Sequence, residues 1–171
     1  ATIGPADVAG GIVLSGHTDV VPVDGQDWHS DPFHLVERDG RLYGRGTCDM
    51  KGFIASALAL VPDAVAAKPR TPLHLAFSHD EEVGCVGVHS MLAHISANLP
   101  RPKAVIVGEP TGMRVVNSHK GIRTFITDVT GLEAHSSNVH LGVNAIDVAV
   151  NLINYLHRLR DEMRAKGDAS G

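Results

Sequence analysis

The sequence has few aromatic residues, only two cysteines and no excess of basic charge. Aromatic residues make up 4% of its 171 residues, and the formal net charge is −4. Because nucleic-acid-binding surfaces usually combine a basic stripe with aromatic side chains, this composition argues weakly against a nucleic-acid partner. Two cysteines, Cys48 and Cys85, are too few for a disulfide framework. We therefore expect a reducing, cytoplasmic environment.

Long apolar runs are also missing, and a membrane-spanning helix would need about 20 consecutive apolar residues. The hydrophobic content of 43% and the charged content of 20% are typical of a soluble globular protein. The chain is long enough for one sizeable domain, or for one domain and part of a second. No membrane partner is expected.

Apolar runs and helical patterns alternate along the first part of the chain. Strands are predicted at residues 11–14, in PLHLAFS and in KAVIV, and helices at 50–67 and 86–95. Pro62 is tolerated only near an end or a kink of its helix. Asp39-Gly40, between two alternating segments, predicts a tight hairpin. This order predicts an α/β fold with a mostly parallel sheet flanked by helices.

The pattern changes after residue 120. The segment IRTFITDVTG, residues 122–131, alternates like a half-exposed antiparallel strand, and an amphipathic helix is predicted from about Val143 to Arg164. One strand and one helix cannot enclose a core by themselves. Residues 1–120 are therefore predicted to form part of one domain, and residues 121–171 the first strand and helix of a smaller second domain.

Acidic residues follow the predicted strands and the hairpin, and the first strand also ends at a histidine. The residues concerned are His17, Asp19, Asp49, Asp80, Glu81, Glu82 and Glu109. Ligands of an open parallel sheet bind at the carboxyl ends of its strands. If these turns share that edge, the side chains expected to converge are His17, Asp49, Glu82 and Glu109. Uncompensated buried carboxylates are costly, and one or two divalent cations would neutralise them. A histidine with several carboxylates and no thiolate suits zinc, cobalt or manganese in an open catalytic site.

Each of these features also has an ordinary interpretation. A His-x-Asp pair after a strand is commonly a polar turn, and Glu81-Glu82 suits a solvated face or a helix N-terminus. Asp49 could cap the helix that follows it. Their occurrence together, in this order on one α/β frame, favours the metal site.

Five segments carry a family resemblance: SGHTDVVPVDGQDWHSDPF, LYGRGTCDMKGF, SHDEEVGCVG, VGEPTG and HKGIRTFITDVTGLEAHSS. Together they resemble the acetylornithine deacetylase branch of a family of two-metal amidohydrolases. That family also includes succinyl-diaminopimelate desuccinylase, aminoacylase and glutamate carboxypeptidase. The resemblance extends from Gly11 to about Asn154, and the metal motifs are its most specific part. It implies a zinc-exopeptidase-like catalytic domain at 1–120 and a lid and dimerisation domain, α+β in class, at 121–171.

The resemblance also implies a set of metal ligands. His17 and Glu109 would bind one cation, Glu82 would bind the second, and Asp49 would bridge both. The peptide bond from Asp49 to Met50 would be cis. The expected cofactor is two Zn²⁺ ions per full-length subunit, with Co²⁺ as a plausible substitute.

Three further residues receive catalytic roles from the resemblance. Asp19 would fix the tautomer of His17. Glu81 would act as the general base towards a water held between the two cations. His135 would reach across the interface of a homodimer to the developing oxyanion. The alternative for His135 is a polar loop histidine without a catalytic role.

The implied reaction removes the acetyl group from N2-acetyl-L-ornithine, giving L-ornithine and acetate in arginine biosynthesis. Within the same class, desuccinylation, dipeptide cleavage or hydrolysis of another acyl-amino acid stays open. A non-catalytic binding module with the same fold is a second interpretation. A third is an interaction domain that self-associates through the apolar face of the Val143–Arg164 helix and the alternating edge strand IRTFITDVTG.

The sequence departs from the family pattern in one important respect. The family's second cation also takes a histidine near the C-terminus, and no segment of this chain matches that motif. The resemblance therefore implies an internal fragment of a longer protein. We expect the chain to bind one cation better than two and to have little activity alone.

Overall fold

The computed structural model describes residues 1–167 and divides the chain into two compact units, Ala1–Asn117 and Ser118–Gly171. The division lies close to the change of pattern after residue 120. The predicted roles of the two parts, catalytic domain and lid, stay predictions. Each unit is described here by itself.

The first unit is built on a four-stranded sheet and a separate two-stranded hairpin. Its strands are β1 (Thr2–Ile3), β2 (Ile12–His17), β3 (Val36–Arg38), β4 (Arg41–Tyr43), β5 (Leu73–Ser78) and β6 (Ala104–Val107). The sheet has the order β1-β5-β2-β6. Strand β2 pairs in parallel with both β5 and β6, and only the short β1 is antiparallel. The predicted α/β fold with a mostly parallel sheet is confirmed.

Helices follow β4 and β5 as the sequence predicts. They are α1 (Gly52–Ala59), α2 (Val61–Ala66) and α3 (Val88–Asn98). The single helix predicted at 50–67 is divided, because Pro62 lies in the first turn of α2, where its missing N–H is not needed. Before α1, the short π-type turn Thr47–Lys51 contains two residues with non-helical backbone angles, Asp49 and Met50.

The hairpin turns at Asp39-Gly40, as predicted. Both residues have positive φ values, 51° and 67°. Such a pair in a two-residue loop suits the twist of the flanking strands, and glycine adopts the left-handed conformation without a steric penalty. The register pairs Val36 with Tyr43.

Buried apolar contacts join the turn Thr47–Lys51 to β2. Met50 is fully buried, and its sulfur accepts a hydrogen bond from the backbone N–H of His17 at 3.3 Å. Gly16 makes room for this contact, since a Cβ there would lie 2.9 Å from the Met50 methyl group. The residue after Asp49 thus holds the turn against the end of β2.

The second unit contains one long helix, α4 (Ala145–Lys166), close to the predicted bounds. The side chain of Asn144 caps it by accepting a hydrogen bond from the backbone N–H of Ile146 at 2.9 Å. A 3₁₀ turn, Val139–Leu141, precedes it.

Among the described residues 1–167, none of the helices combines the length and the apolar character that a membrane span requires.

The strand predicted at residues 122–131, the first strand of the second domain, is not formed. In the described part of this unit, strand-like pairing is limited to one bridge between Leu132 and Val143. Alternation alone does not make a strand, because the extended backbone is stabilised by hydrogen bonds to a neighbouring strand. The prediction from alternation was wrong for this segment.

Replacing a buried leucine of β5 should destabilise the first unit. Leu75 is 8% exposed, and Leu75→Ala should lower the free energy of unfolding by about 2–5 kcal/mol through lost burial and cavity formation. The matched control is Leu42→Ala in β4, where the side chain is 57% exposed and the loss should be much smaller. Urea denaturation followed by circular dichroism measures both. Equal losses would contradict the burial of Leu75 in the core of this unit.

Candidate metal centre

Three parallel strands deliver acidic or histidine side chains to one edge of the sheet. Strand β2 ends at His17, β5 is followed by Glu81 and Glu82, and β6 is followed by Glu109. Since β2 lies between β5 and β6 and runs parallel to both, their carboxyl ends meet at the same edge. Asp49 joins them from the turn Thr47–Lys51.

The imidazole of His17 lies at the centre of this cluster and is only 2% exposed. Its Nε2 atom is 3.2 Å from Oδ1 of Asp49, 3.8 Å from Oε1 of Glu109 and 3.9 Å from Oε2 of Glu81. One ring nitrogen therefore faces three carboxylates. The convergence expected from the sequence is present.

Part of the cluster has the spacing of a metal-binding group. One ligand atom from each of His17, Asp49 and Glu82 lies within 4.8 Å of the other two. An imidazole with carboxylates is a donor set that zinc accepts, and Glu109 adds a further oxygen near His17. These residues therefore fit a divalent cation. The peptide bond between Asp49 and Met50 is cis, as expected.

Asp19 orients the other side of the His17 ring. The ring Nδ1 is 3.1 Å from the carbonyl oxygen of Asp19 and 3.4 Å from its Oδ1. A carbonyl oxygen can only accept, so Nδ1 carries a hydrogen, and Nε2 is the ring nitrogen whose lone pair would bind a cation in place of a proton. Oδ2 of Asp19 accepts the backbone N–H of Glu82 at 3.0 Å. Asp19 thus joins a histidine of the cluster to the loop that carries Glu82.

The pKa values in the cluster indicate a shortage of positive charge. Burial alone would lower the pKa of His17, but the hydrogen bond with Asp49 and the charges of Glu109, Glu81 and Asp19 raise it above its usual value. Burial, and then the charge of Asp49, raise the pKa of Glu109. Both shifts favour an added proton. A divalent cation would neutralise the same carboxylates more completely.

Cys85 is a neighbour of the cluster that sequence reasoning missed. Its thiol donates a hydrogen bond to Oε1 of Glu81 at 3.4 Å, and its backbone N–H donates to the Glu81 carbonyl at 2.9 Å. The hydrogen bond with Glu81, then burial and nearby negative charge, raise the pKa of the thiol. The available signal was the spacing of four residues in DEEVGC, which allows such a contact when the loop closes into a turn.

His135 belongs to the second unit. Its ring contacts Ser137, with Nδ1 lying 2.8 Å from the Ser137 hydroxyl oxygen. Its assignment to catalysis stays a prediction.

Comparison with known proteins identifies the family. Residues 13–162 match the model of peptidase family M20/M25/M40, so the chain belongs to this family. It is 39% identical over 166 residues to an acetylornithine deacetylase of Pasteurella multocida (strain Pm70), a match that covers 97% of this chain and 42% of that protein. It is 40% identical over 158 residues to an acetylornithine deacetylase of Salmonella paratyphi B, covering 92% and 40% respectively.

A solved structure supports the fold. Human carnosine dipeptidase 1 superposes on 62% of this chain, and on 24% of its own, with a TM-score of 0.51 and 26% identity. The chain spans about two fifths of the length of the deacetylases that it matches.

Replacing His17 should remove the cation. His17→Ala deletes the imidazole around which the carboxylates gather, so zinc affinity should fall by about 100-fold or more, at least the loss seen when an outer-shell partner is removed. Isothermal titration with Zn²⁺ measures the effect. His89→Ala, at an exposed position of α3, is the matched control and should bind zinc normally. Unchanged binding by His17→Ala would remove His17 from the ligand set.

The contact between Cys85 and Glu81 can be tested by thiol alkylation. In a Cys48→Ser background, Glu81→Gln should speed the reaction of Cys85 with iodoacetamide several-fold. Removing the carboxylate lowers the thiol pKa towards its usual value and so raises the thiolate fraction at a fixed pH.

Mass spectrometry of the chelator-treated protein at mildly alkaline pH gives the alkylation rates. Glu82→Gln is the control, because that carboxylate is not among the groups that raise the Cys85 pKa. Equal acceleration by the two substitutions would contradict a specific contact with Glu81.

Proposed function

We propose that the protein is a metal-dependent amidohydrolase that removes the acetyl group from N2-acetyl-L-ornithine. One observation carries the proposal. The buried His17 imidazole is surrounded by carboxylates at the carboxyl edge of a parallel sheet, in a chain of the M20/M25/M40 family. The named relatives, 39–40% identical, support the choice of substrate.

His17, Asp49, Glu82 and Glu109 are proposed to hold the cations. Zinc is the proposed metal, and cobalt is a substitute that the same donors would accept. When bound, these cations would lower the pKa of water and polarise the carbonyl oxygen of the substrate. The assignment of individual ligands to the first and second cation follows the family resemblance, and the grouping of His17, Asp49 and Glu82 within 4.8 Å supports a shared site.

Glu81 is proposed as the general base because it has one restrained and one available oxygen. Oε1 accepts the Cys85 thiol hydrogen, and Oε2 faces the cluster. The side chain is 39% exposed, so a substrate can reach it. Glu81 would take a proton from the attacking water and deliver it to the amine nitrogen as the amide C–N bond breaks. Acetate and the free amino group of ornithine are the products.

Asp19 and His135 complete the proposed machinery. Asp19 would keep His17 oriented through Nδ1, as its contacts with the ring support. His135, contributed by a partner subunit, would donate an N–H to the oxyanion that develops on the carbonyl oxygen. The proposed assembly is a homodimer that works in arginine biosynthesis in the cytoplasm.

A second substrate class is favoured by one observation, the structural likeness to human carnosine dipeptidase 1. A substrate panel separates the alternatives: N2-acetyl-L-ornithine, N-succinyl-LL-diaminopimelate and carnosine, each incubated with the full encoded protein and zinc. The acetylated substrate should give the highest kcat/KM. Preference for the succinylated compound or the dipeptide would overturn the substrate assignment and leave the hydrolase class intact.

Glu81→Gln should separate catalysis from metal binding. Loss of the base should lower kcat by about 100-fold or more, since general base catalysis contributes about 10²–10⁴-fold. Metal content, measured by atomic emission, should be nearly unchanged. Asp80→Asn is the control, because that neighbouring carboxylate contacts the exposed His79 and has no assigned role. Equal loss of metal and activity in Glu81→Gln would make Glu81 a ligand instead of a base.

A further inference from the structure

Two donors of Ser137 converge on one nitrogen of the His135 ring. The Ser137 hydroxyl oxygen is 2.8 Å from Nδ1, and the Ser137 backbone N–H donates to the same atom at 3.2 Å. A turn brings them together, because the backbone N–H of Asn138 donates to the carbonyl of His135 at 2.8 Å. The contact is therefore local to the second unit and is fixed by the backbone as well as by a side chain.

The backbone contact determines where the neutral ring carries its hydrogen. A backbone N–H can only donate, so Nδ1 must be the acceptor. A neutral imidazole has one donor nitrogen and one acceptor nitrogen, and the hydrogen is therefore on Nε2. The Ser137 hydroxyl can rotate to donate to Nδ1 as well, which strengthens the same arrangement.

We infer that Ser137 is a positioning residue that holds neutral His135 in the Nε2–H tautomer. The inference rests on the proposed function, in which His135 serves the oxyanion. In this tautomer the ring offers an N–H to a negatively charged oxygen. With Nδ1 already accepting from Ser137, the neutral ring has no second lone pair with which to take a proton from water. His135 therefore acts as a hydrogen-bond donor, and the role of base is left to Glu81.

The tautomer can be measured directly, without an activity assay. Nitrogen-15 NMR of the full encoded protein, labelled at histidine, distinguishes a protonated ring nitrogen from an unprotonated one. Spectra are recorded at about pH 8.5, two units above the usual pKa of about 6.5 for a free histidine side chain. His135→Gln assigns the signals. We expect Nε2 to be protonated and Nδ1 not, and the opposite pattern would overturn the inference.

Substitutions test whether Ser137 causes this preference. Ser137→Ala removes the hydroxyl but keeps the backbone donor, so it should weaken the preference for the Nε2–H tautomer without abolishing it and shift the ring signals part of the way towards a mixture. It should also lower kcat several-fold with little change in KM, and Ser137→Thr should restore both. Ser136→Ala is the matched control, since within the described residues 1–167 the His135 ring hydrogen bonds to Ser137 and not to Ser136. Identical signals in Ser137→Ala and the parent would overturn the role of the hydroxyl.

The two readouts separate this inference from the proposed function. An Nε2–H ring in a protein that hydrolyses none of the panel substrates would overturn the function and leave the tautomer assignment standing. An Nδ1–H ring in an active hydrolase would overturn the positioning role of Ser137 and leave the hydrolase activity standing.

Discussion

The concentration of negative charge around His17 is the constraint on which the candidate site depends. Three carboxylates lie within 3.9 Å of one imidazole nitrogen that is almost fully buried. Without a compensating cation the carboxylates repel one another. Burial and then the charge of Asp49 raise the pKa of Glu109, and the surrounding carboxylates outweigh the effect of burial and raise the pKa of His17. A parallel sheet places such groups together because every strand ends at the same edge. A divalent cation at this group of ligands would neutralise the negative charge.

The side chains of the cluster are held in place mainly by backbone groups and by the buried sulfur of Met50. The fully buried Met50 packs against the end of β2 and accepts the His17 N–H, so a direct contact links the turn that carries Asp49 to His17. Asp19 connects the other face of the ring to the backbone of Glu82. The ligands therefore come from separate elements yet are held by direct contacts. Such restraint is what a site needs when its geometry has to be maintained before a cation binds.

Prediction from sequence was accurate for elements whose structure depends on residues close together in the chain. The Asp39-Gly40 turn, the strands around His17 and after Thr71, and α3 follow from turn chemistry and periodicity. The strand expected at residues 122–131 is absent. Alternation of apolar and polar residues does not provide the neighbouring strand to which an extended segment must hydrogen bond. The short β1 was not predicted, because a strand of two residues is too short to show hydrophobic periodicity. It is formed by pairing with β5, which is far away in the sequence.

The sequence by itself determined the alternation of strands and helices in the first unit, because hydrophobic periodicity is a local property of the chain. The family motifs are local too, and they could be read from the sequence alone. Only the tertiary structure decided that Nε2 of His17 faces Asp49, Glu81 and Glu109 while Nδ1 faces Asp19. It also decided that the Cys85 thiol contacts Glu81. Those relations depend on strand register and loop closure between residues far apart in the chain, which no local pattern encodes.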